Sequence, residues 1–521
     1  MASRRAFIKT LALSSAAPVL PAESLFRLDG SASGSHASNE IITPNDSRYD
    51  ALIKGNNARF TASPSAIHLC KDEEGIANAL VAALRTSNKK ITIRSGGHCY
   101  ENFVCDNDGG IICDVSSMKG IQHQENGLYG IEAGCTIGDT YTQLYNRYGV
   151  TLPIGSCFSV GLGGHITGGG FGVTTRQLGL SVDFLEAVSL VYVDENEQVV
   201  TRTFRLDQPD ERDVVWAHQG GGGGNFGIVS KFWFRDLPEA PGTVHTIGLS
   251  WNWERLSFDA FHSLVKAFSL FQEEHRQPGT PYSNLYTSMG LRHRREGSLN
   301  IGAQYIGDHP EILQEFIDYM QLHVSIPPTC HAADGTPHTS NLSSCIQTIP
   351  WFDLTLRQAG GGDRTTRMKY KSTYMKRAFP DRQINVLYKY LSEEPAPPAQ
   401  SFTLLLDGYG GEVNRFPSDA TAIPQRDSAF KMQYILGWKG EQHDQICIEW
   451  LRRFYRNMYA DTGGEPMPND VQDGCYVNYC DVDLENWRYL YYKNNYAKLQ
   501  HVKTRLDPHN LFNHAQSIEP S

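Results

Sequence analysis

Eleven cysteines in 521 residues form no Cys-x-x-Cys pair, and their spacing to the histidines does not make a zinc site. No metal is expected. No glycine-rich segment closes with Gly-Lys-Ser/Thr, which excludes a P-loop. Basic residues are in deficit, 47 against 57 acidic ones for a net charge of −10, and no basic patch stands out. Nucleic acid and anionic membrane are therefore poor partners. Long hydrophobic runs are missing as well. A modest apolar run from about Leu11 to Leu20 is too short to span a bilayer, so no membrane anchor is expected. There are no internal repeats.

Glycine is what the chain has in quantity, 48 residues, and much of it is clustered. Ile91-Thr92-Ile93 reads as a strand opening into Arg94-Ser95-Gly96-Gly97-His98-Cys99-Tyr100. Adjacent glycines adopt conformations closed to other residues, and their N–H groups can converge on an anion. Arg94 adds a fixed positive fork, so the loop suits a pyrophosphate. His98 would then face the bound group. The second cluster, Pro153–Gly172, holds eight glycines around Cys157. Backbone that bare lets a flat ring or a phosphate lie against the main chain. No G-x-G-x-x-G opens a helix in this stretch, so it is not the dinucleotide fingerprint.

The pair R-S-G-G-H and G-x-C-x-x-V-G-x-G-G-H-x-x-G-G-G-F-G resembles the berberine-bridge-enzyme group of the vanillyl-alcohol oxidase superfamily. The resemblance runs from about Asn45 to Ile518. It implies an α+β, two-domain PCMH-type FAD-binding fold, with an antiparallel-sheet substrate domain covered by helices. It also implies FAD held twice, through His98 to the flavin 8α-methyl and through Cys157 to flavin C6. Around these anchors it assigns cofactor contacts to Arg94, Ser95, Gly96, Gly97, Cys99, Gly161, Gly163, Gly164, His165, Gly168, Gly169, Gly170, Phe171 and Gly172. A third cluster, Gly220–Gly224 followed by Asn225-Phe226-Gly227-Ile228-Val229, resembles the family's G-G-G-N-F-G-I/V-V beside the cofactor. It adds Asn225, Gly227, Ile228 and Val229. In that group a valine matching Val160 leaves room for dioxygen over the flavin, so an oxidase releasing hydrogen peroxide is implied.

Ser3-Arg4-Arg5-Ala6-Phe7-Ile8-Lys9 fits the twin-arginine export pattern, and the Leu11–Leu20 run is a signal-type apolar region. Residues 1–22 are accordingly expected to be a signal read by the twin-arginine translocon, with the mature chain in the periplasm or outside the cell. Residues 23–44, rich in Ser and Gly from Leu28 to Glu40, are expected to be a linker. With Cys157 on the flavin, ten cysteines remain. Cys330–Cys345 and Cys475–Cys480 are possible local disulfides, free buried thiols being the other reading.

The mature length suggests two domains. Helix periodicity is expected over Asp72–Thr86 and Ile137–Tyr148, and a hairpin over Ala187–Val193 and Gln198–Phe204. From about Leu237 strands alternate with fewer helices, the pattern of an antiparallel sheet covered by helices. Two helical runs, Gln442–Tyr459 and Trp487–Leu506, close the chain. The expected division is residues 45–236 for FAD, 237–440 for substrate, and 441–518 returning to the FAD part.

Tyr476-Val477-Asn478-Tyr479-Cys480-Asp481-Val482-Asp483-Leu484 resembles the family's Y-x-N-Y-x-D-x-D-L. That resemblance makes Tyr479 the catalytic base, puts Asn478 against the flavin, and brings Tyr476 and Tyr100 into the active site. The chemistry agrees: oxidising a hydroxyl needs a proton acceptor at oxygen while hydride leaves carbon. A phenol acts as a base only where cations or hydrogen bonds favour the phenolate. Arg367–Tyr374 resembles the family's K-x-K-S segment on the substrate side. Lys369, Lys371 and Tyr374 are thus candidate substrate residues, with a cation from this pair beside Tyr479, or else the segment is a solvated basic strand. The expected substrate is a sugar, oligosaccharide or glycosylated natural product, with dioxygen as co-substrate. Oxidative cyclisation of an aromatic alkaloid or polyketide is the alternative, and a non-enzymatic flavin- or glycan-binding protein a third. The oligomeric state is not legible.

On this reading, flavin should remain on acid-denatured wild-type protein, seen by intact mass and visible absorption. It should be released by denaturation only from the His98→Ala/Cys157→Ala double variant.

Overall fold

In a computed structural model of the chain, residues 39–521 are described. The expected signal and the linker up to residue 38 lie outside the described residues. The end of that expected linker is a strand: β1 (Glu40–Ile42) pairs antiparallel with β2 (Ala66–Leu69), with Ile42 fully buried opposite Ile67. Strands β3 (Ile91–Arg94) and β4 (Ile111–Asp114) complete a sheet of order β1-β2-β4-β3, in which β4 runs parallel to both neighbours. The helix Glu73–Leu84 packs on this sheet. Asp72 caps it by accepting the Gly75 N–H, and Ile76, Ala79, Leu80 and Ala83 bury one face at helical spacing.

A second sheet contains β5 (Ile121–His123), β6 (Leu128–Glu132), β7 (Leu185–Val193), β8 (Val199–Arg205) and β9 (Ile228–Arg235). Its order is β5-β6-β9-β7-β8, antiparallel throughout. The β7–β8 turn is set by Asp194, whose carboxylate accepts the N–H groups of Asn196 and Gln198.

The division expected after residue 236 falls in the connection between β9 and β10 (Thr243–Asn252). The third sheet continues with β11 (Leu285–Arg292) and β12 (Ser298–Tyr305). After a small hairpin of β13 (Cys330–His331) and β14 (Pro337–His338), it adds β15 (Gln347–Pro350), β16 (Arg367–Met375), β17 (Ser401–Gly408) and β18 (Phe430–Trp438). Its order is β15-β10-β12-β11-β17-β18-β16, every pair antiparallel. With helices packed against these sheets, the fold is α+β.

Side chains alternate across β16 and β18, and the alternation sorts them by task. Tyr370, Ser372 and Tyr374 share a face with Gln433 and Lys431, their cross-strand partners or neighbours. Lys369, Lys371 and Thr373 point the other way, where Thr373 Oγ1 bonds the Tyr459 hydroxyl. The helix Asp444–Met458, which carries Tyr455, packs on this second face against β16 and β18. The first of the two closing helices thus packs on the third sheet. Its carboxylate Asp444 pairs with Arg367, and the Tyr455 hydroxyl donates to the Ser372 carbonyl at 2.7 Å.

The run read as one helix over Trp487–Leu506 is two, Trp487–Tyr492 and Tyr496–Leu506. It breaks at Lys493, whose φ is +47° and whose ammonium pairs with buried Asp473. The later helix packs on Arg212–His218. Its Lys503 ammonium is fully buried and donates to the carbonyls of Asn225, at 2.8 Å, and Phe512, at 2.6 Å.

Cys330 and Cys345 form a disulfide with Cα atoms 6.1 Å apart. Cys475 and Cys480 are not joined. Cys475 lies against Tyr455, while the Cys480 sulfur is 3.9 Å from that of Cys99.

Behind β16 lies a buried charge cluster. Lys369 Nζ donates to Glu101 at 2.5 Å and to Asp481 at 2.6 Å, and Lys371 Nζ to Asp481 at 2.6 Å and Asp483 at 3.1 Å. Asp481→Ala strips a partner from two buried ammonium groups and should cost about 3–5 kcal/mol in urea unfolding. Glu519→Gln, which breaks the exposed pair with Arg488, should cost about 0–1 kcal/mol.

Candidate active site

A cavity of about 430 Å³ opens where the glycine clusters meet the third sheet. One wall is the loop after β3. Gly97 takes φ +71° there, and Gly96 packs so tightly on the second glycine cluster that a Cβ would stand 2.2 Å from the Gly161 nitrogen. Within that cluster Leu162–Thr167 is a short helix, and Gly164 turns its bare face to open space, with nothing within 4 Å of a Cβ position. The Gly222–Gly224 backbone continues the wall, and Phe512–Gln516 closes it from the C-terminus.

These features fit a dinucleotide cofactor lying against main chain. They cradle it with backbone, and they offer an unspent side-chain donor: Arg94 bonds Asp114 through Nε at 2.6 Å and the Leu52 carbonyl through Nη1, while its buried Nη2 has no partner. Arg94 is thus half committed to the protein, since Asp114 neutralises the charge expected to face a pyrophosphate.

His98 and Cys157 both line the cavity. His98 Nε2 is 2.9 Å from Ser159 Oγ, and Cys157 Sγ is 3.7 Å from the same oxygen. Burial pushes His98 down to about 4, with the nearby Arg364 charge adding to the effect, so the ring is neutral at physiological pH. A strap from the third-sheet part crosses both residues. Phe158 N–H donates to the Gly360 carbonyl at 2.8 Å, Gly360 N–H to the Ser156 carbonyl at 3.0 Å, and Gly362 N–H to Ser159 Oγ at 3.1 Å. Val160 also lines the cavity.

The opposite wall is aromatic and charged. Lys431 Nζ donates to the Tyr479 hydroxyl at 3.0 Å and to Asp407 at 2.9 Å, and the Tyr286 hydroxyl donates to Asp407 at 2.6 Å. The same ammonium sits 4.0 Å from the Phe171 ring centroid and 4.6 Å from that of Tyr479. Burial raises the Tyr479 phenol above its ordinary value, and Lys431 pulls it back. Tyr100 stacks on Tyr370 at 3.5 Å and on Tyr479 at 5.6 Å, its hydroxyl accepting from Gln433 at 2.8 Å. Tyr476 meets Tyr479 edge-on at 4.9 Å. Asn478 donates to the His165 carbonyl at 2.9 Å and to the Tyr476 hydroxyl at 3.0 Å. Cys157, Tyr100 and Tyr479 line the same cavity, so the thiol end and the phenol end face one space.

Most residues singled out from the sequence meet here. The loop Arg94–Tyr100, Gly161, Gly163–His165, Phe171 and Gly172, then Asn225, Gly227 and Val229, and finally Tyr476, Asn478 and Tyr479 all line the cavity. Others do not. Gly168, Gly169 and Gly170 lie behind the wall, pressed on Asn478, Ile423 and Ser181. Ile228 is fully buried in the core. Lys369 and Lys371 are on the far face of β16, held by Glu101, Asp481 and Asp483, and do not reach the cavity. Tyr374 shares the cavity-side face but is sealed beneath Tyr409 and Tyr476. The cation beside Tyr479 is Lys431. Sequence reasoning missed it together with Asp407, Tyr286 and Gln433. The available signal was Lys431 and Gln433 at alternate positions of an otherwise apolar strand.

Two family descriptions match the chain: "FAD binding domain" over residues 64–201 and "Berberine and berberine like" over residues 475–519. The first holds His98 and Cys157, and the second holds Tyr479. The aclacinomycin-N/aclacinomycin-A oxidase of Streptomyces galilaeus is 34% identical, with 94% of this chain and 92% of that one covered. The hexose oxidase of Chondrus crispus is 34% identical, with 91% and 93% covered. Among solved structures, a glycopeptide hexose oxidase complexed with teicoplanin has a TM-score of 0.85 at 34% identity, covering 93% of this chain and 99% of that one.

Lys431→Met removes the charge that favours the Tyr479 phenolate, so the Tyr479 ionisation should move up by about one pH unit or more. The check is the tyrosinate absorbance that disappears when Tyr479→Phe is introduced, titrated in the wild-type protein and in the Lys431→Met variant.

Proposed function

The chain belongs to the berberine-bridge-enzyme-like family of FAD-linked oxidoreductases, and from that premise we propose that it is an exported oxidase of sugar hydroxyls. Its substrates are a sugar, an oligosaccharide or a glycosylated natural product, and dioxygen leaves as hydrogen peroxide. The observation that carries this reading is the Tyr479–Lys431–Asp407 chain in the cavity wall, facing the space bordered by His98 and Cys157.

FAD, when bound, supplies a hydride acceptor and the route by which electrons reach dioxygen. His98 and Cys157 are the residues that would hold it covalently, the glycine walls would take its flat and anionic parts, and Asn478 would lie beside it. Tyr479 takes the proton from the substrate hydroxyl as hydride leaves the same carbon. Lys431 makes that possible by favouring the phenolate against the cost of burial. Asp407 fixes the ammonium, and Tyr286 fixes Asp407. Tyr100, oriented by Gln433 and stacked between Tyr370 and Tyr479, holds the aromatic wall beside the Tyr479 hydroxyl in place. Val160 keeps the side chain beside Cys157 small, which leaves room for dioxygen.

The hexose oxidase and the glycopeptide hexose oxidase, each at 34% identity, support a carbohydrate substrate. The aclacinomycin oxidase supports a glycosylated aromatic one. The twin-arginine pattern at Ser3–Lys9 supports export of an already folded, flavin-loaded protein.

A peroxide-coupled assay over monosaccharides, oligosaccharides and glycosylated aromatic compounds tests the reading. Turnover should rise with pH, because the base acts ionised and its phenol sits above the ordinary value. Tyr479→Phe should lower kcat/KM by about 10²–10⁴ at unchanged flavin content and abolish that rise. Cyclisation of an aromatic substrate without any sugar turnover, or full activity of Tyr479→Phe, would sink the proposal.

A further inference from the structure

One hydroxyl joins the two residues expected to hold the flavin. Ser159 Oγ has three neighbours: His98 Nε2 at 2.9 Å, Cys157 Sγ at 3.7 Å and the Gly362 N–H at 3.1 Å. A serine hydroxyl has one hydrogen to give and two lone pairs to fill. Gly362 N–H can only donate, so it fills one lone pair. Suppose the hydroxyl hydrogen pointed at Nε2. The imidazole proton would then sit on Nδ1, and Cys157 as a thiolate, the form that attacks, would receive nothing. Suppose instead Nε2–H donates into the second lone pair. The hydroxyl hydrogen is then free for the sulfur, and all three contacts are satisfied together. The second arrangement leaves Nδ1 unprotonated. Nδ1 has no hydrogen-bond partner among the described residues, and its ring lines the cavity.

The hydroxyl itself is held still. A Cβ on Gly362 would stand 1.7 Å from Asn56 Oδ1 and 3.1 Å from His98 Cε1, so bare backbone is needed for the strap to reach Ser159. Gly360 fixes the strap on the other side through its two backbone bonds to Ser156 and Phe158.

We propose that Ser159 is the positioning residue for covalent flavin attachment: its hydroxyl sets His98 as the Nε2–H tautomer with Nδ1 as nucleophile, and donates to the Cys157 thiolate. This rests on the reading that both residues bond FAD. Closing the histidine link forms Nδ1–C8α, breaks one C–H of the 8α-methyl and releases the Nε2 proton toward Ser159. Closing the cysteine link forms Sγ–C6 from the thiolate and breaks C6–H, and the proton the thiol gave up on ionising completes the count. Each closure is a two-electron oxidation. The electrons enter the isoalloxazine and pass to dioxygen, which takes up both protons and leaves as hydrogen peroxide.

The test uses full-length protein with a single anchor left, Cys157→Ala or His98→Ala, each carrying Ser159, Ser159→Ala or Ser159→Thr. Protein is incubated aerobically with FAD and quenched in acid. The covalent fraction is followed by intact mass, and total bound FAD separately by absorbance. Ser159→Ala should slow attachment about tenfold in both backgrounds, the factor that goes with one lost hydrogen bond to a charged or reacting group, with total FAD binding retained. Ser159→Thr keeps a hydroxyl in place and should restore the rate. An unchanged rate for Ser159→Ala in either background overturns the inference, as does a threonine variant no faster than alanine. Wild-type protein with no covalent flavin at all would instead remove the anchor reading beneath it.

Discussion

A buried ammonium group is among the costliest things a fold can contain unless an anion answers it, and the third sheet contains three. Lys369, Lys371 and Lys431 are each almost wholly buried. Strand alternation sends the first two to the helix-covered face of β16, where Glu101, Asp481 and Asp483 receive them. The third emerges from β18 on the other face, where Asp407 receives it and Tyr479 shares it. The carboxylates that answer Lys369 and Lys371 belong to the loops carrying the reactive rings: Glu101 follows Tyr100, and Asp481 stands two residues past Tyr479. Satisfying the charges on one face thus fixes the aromatic groups on the other. The cavity geometry is a by-product of charge pairing behind it.

The other wall depends on the absence of side chains. Gly96 against Gly161, and Gly362 against Asn56 and His98, are contacts in which a methyl group would displace main chain or a neighbouring polar group. They let segments far apart in sequence approach to backbone distance, which keeps the imidazole and thiol in register with one serine hydroxyl. The C-terminal segment adds the last stitch, since buried Lys503 binds the carbonyls of Asn225 and Phe512 and so joins the third glycine cluster to the chain end.

What could be read from the sequence follows this division. The glycine loops, His98, Cys157 and the Tyr476–Tyr479 segment were legible because their chemistry is local, with spacing and residue type on one stretch of chain. The helix Ile137–Tyr148 was legible for the same reason, as its periodicity and its cap at Thr136 lie within it. Lys431 was not, because its meaning comes from the β17–β18 register that sets it opposite Asp407. Lys369 and Lys371 misled for the complementary reason. A basic pair near a family motif suggests a site, but alternation along β16 and the distant acids at 101, 481 and 483 claim them for support. The β1 strand escaped notice because its conformation is decided by pairing with β2. The break at Lys493 escaped because a buried carboxylate twenty residues upstream overrides helix propensity.

The thiol inventory has its own bearing on where such a chain can mature. Among the described residues the one disulfide, Cys330–Cys345, spans fifteen residues around a small hairpin, while the other nine cysteines form no disulfide, several of them deep in the core. No disulfide ties the strands of the three sheets together. A reducing environment is sufficient for the chain to reach its packing, and the Cys330–Cys345 crosslink can follow as a late, local reinforcement.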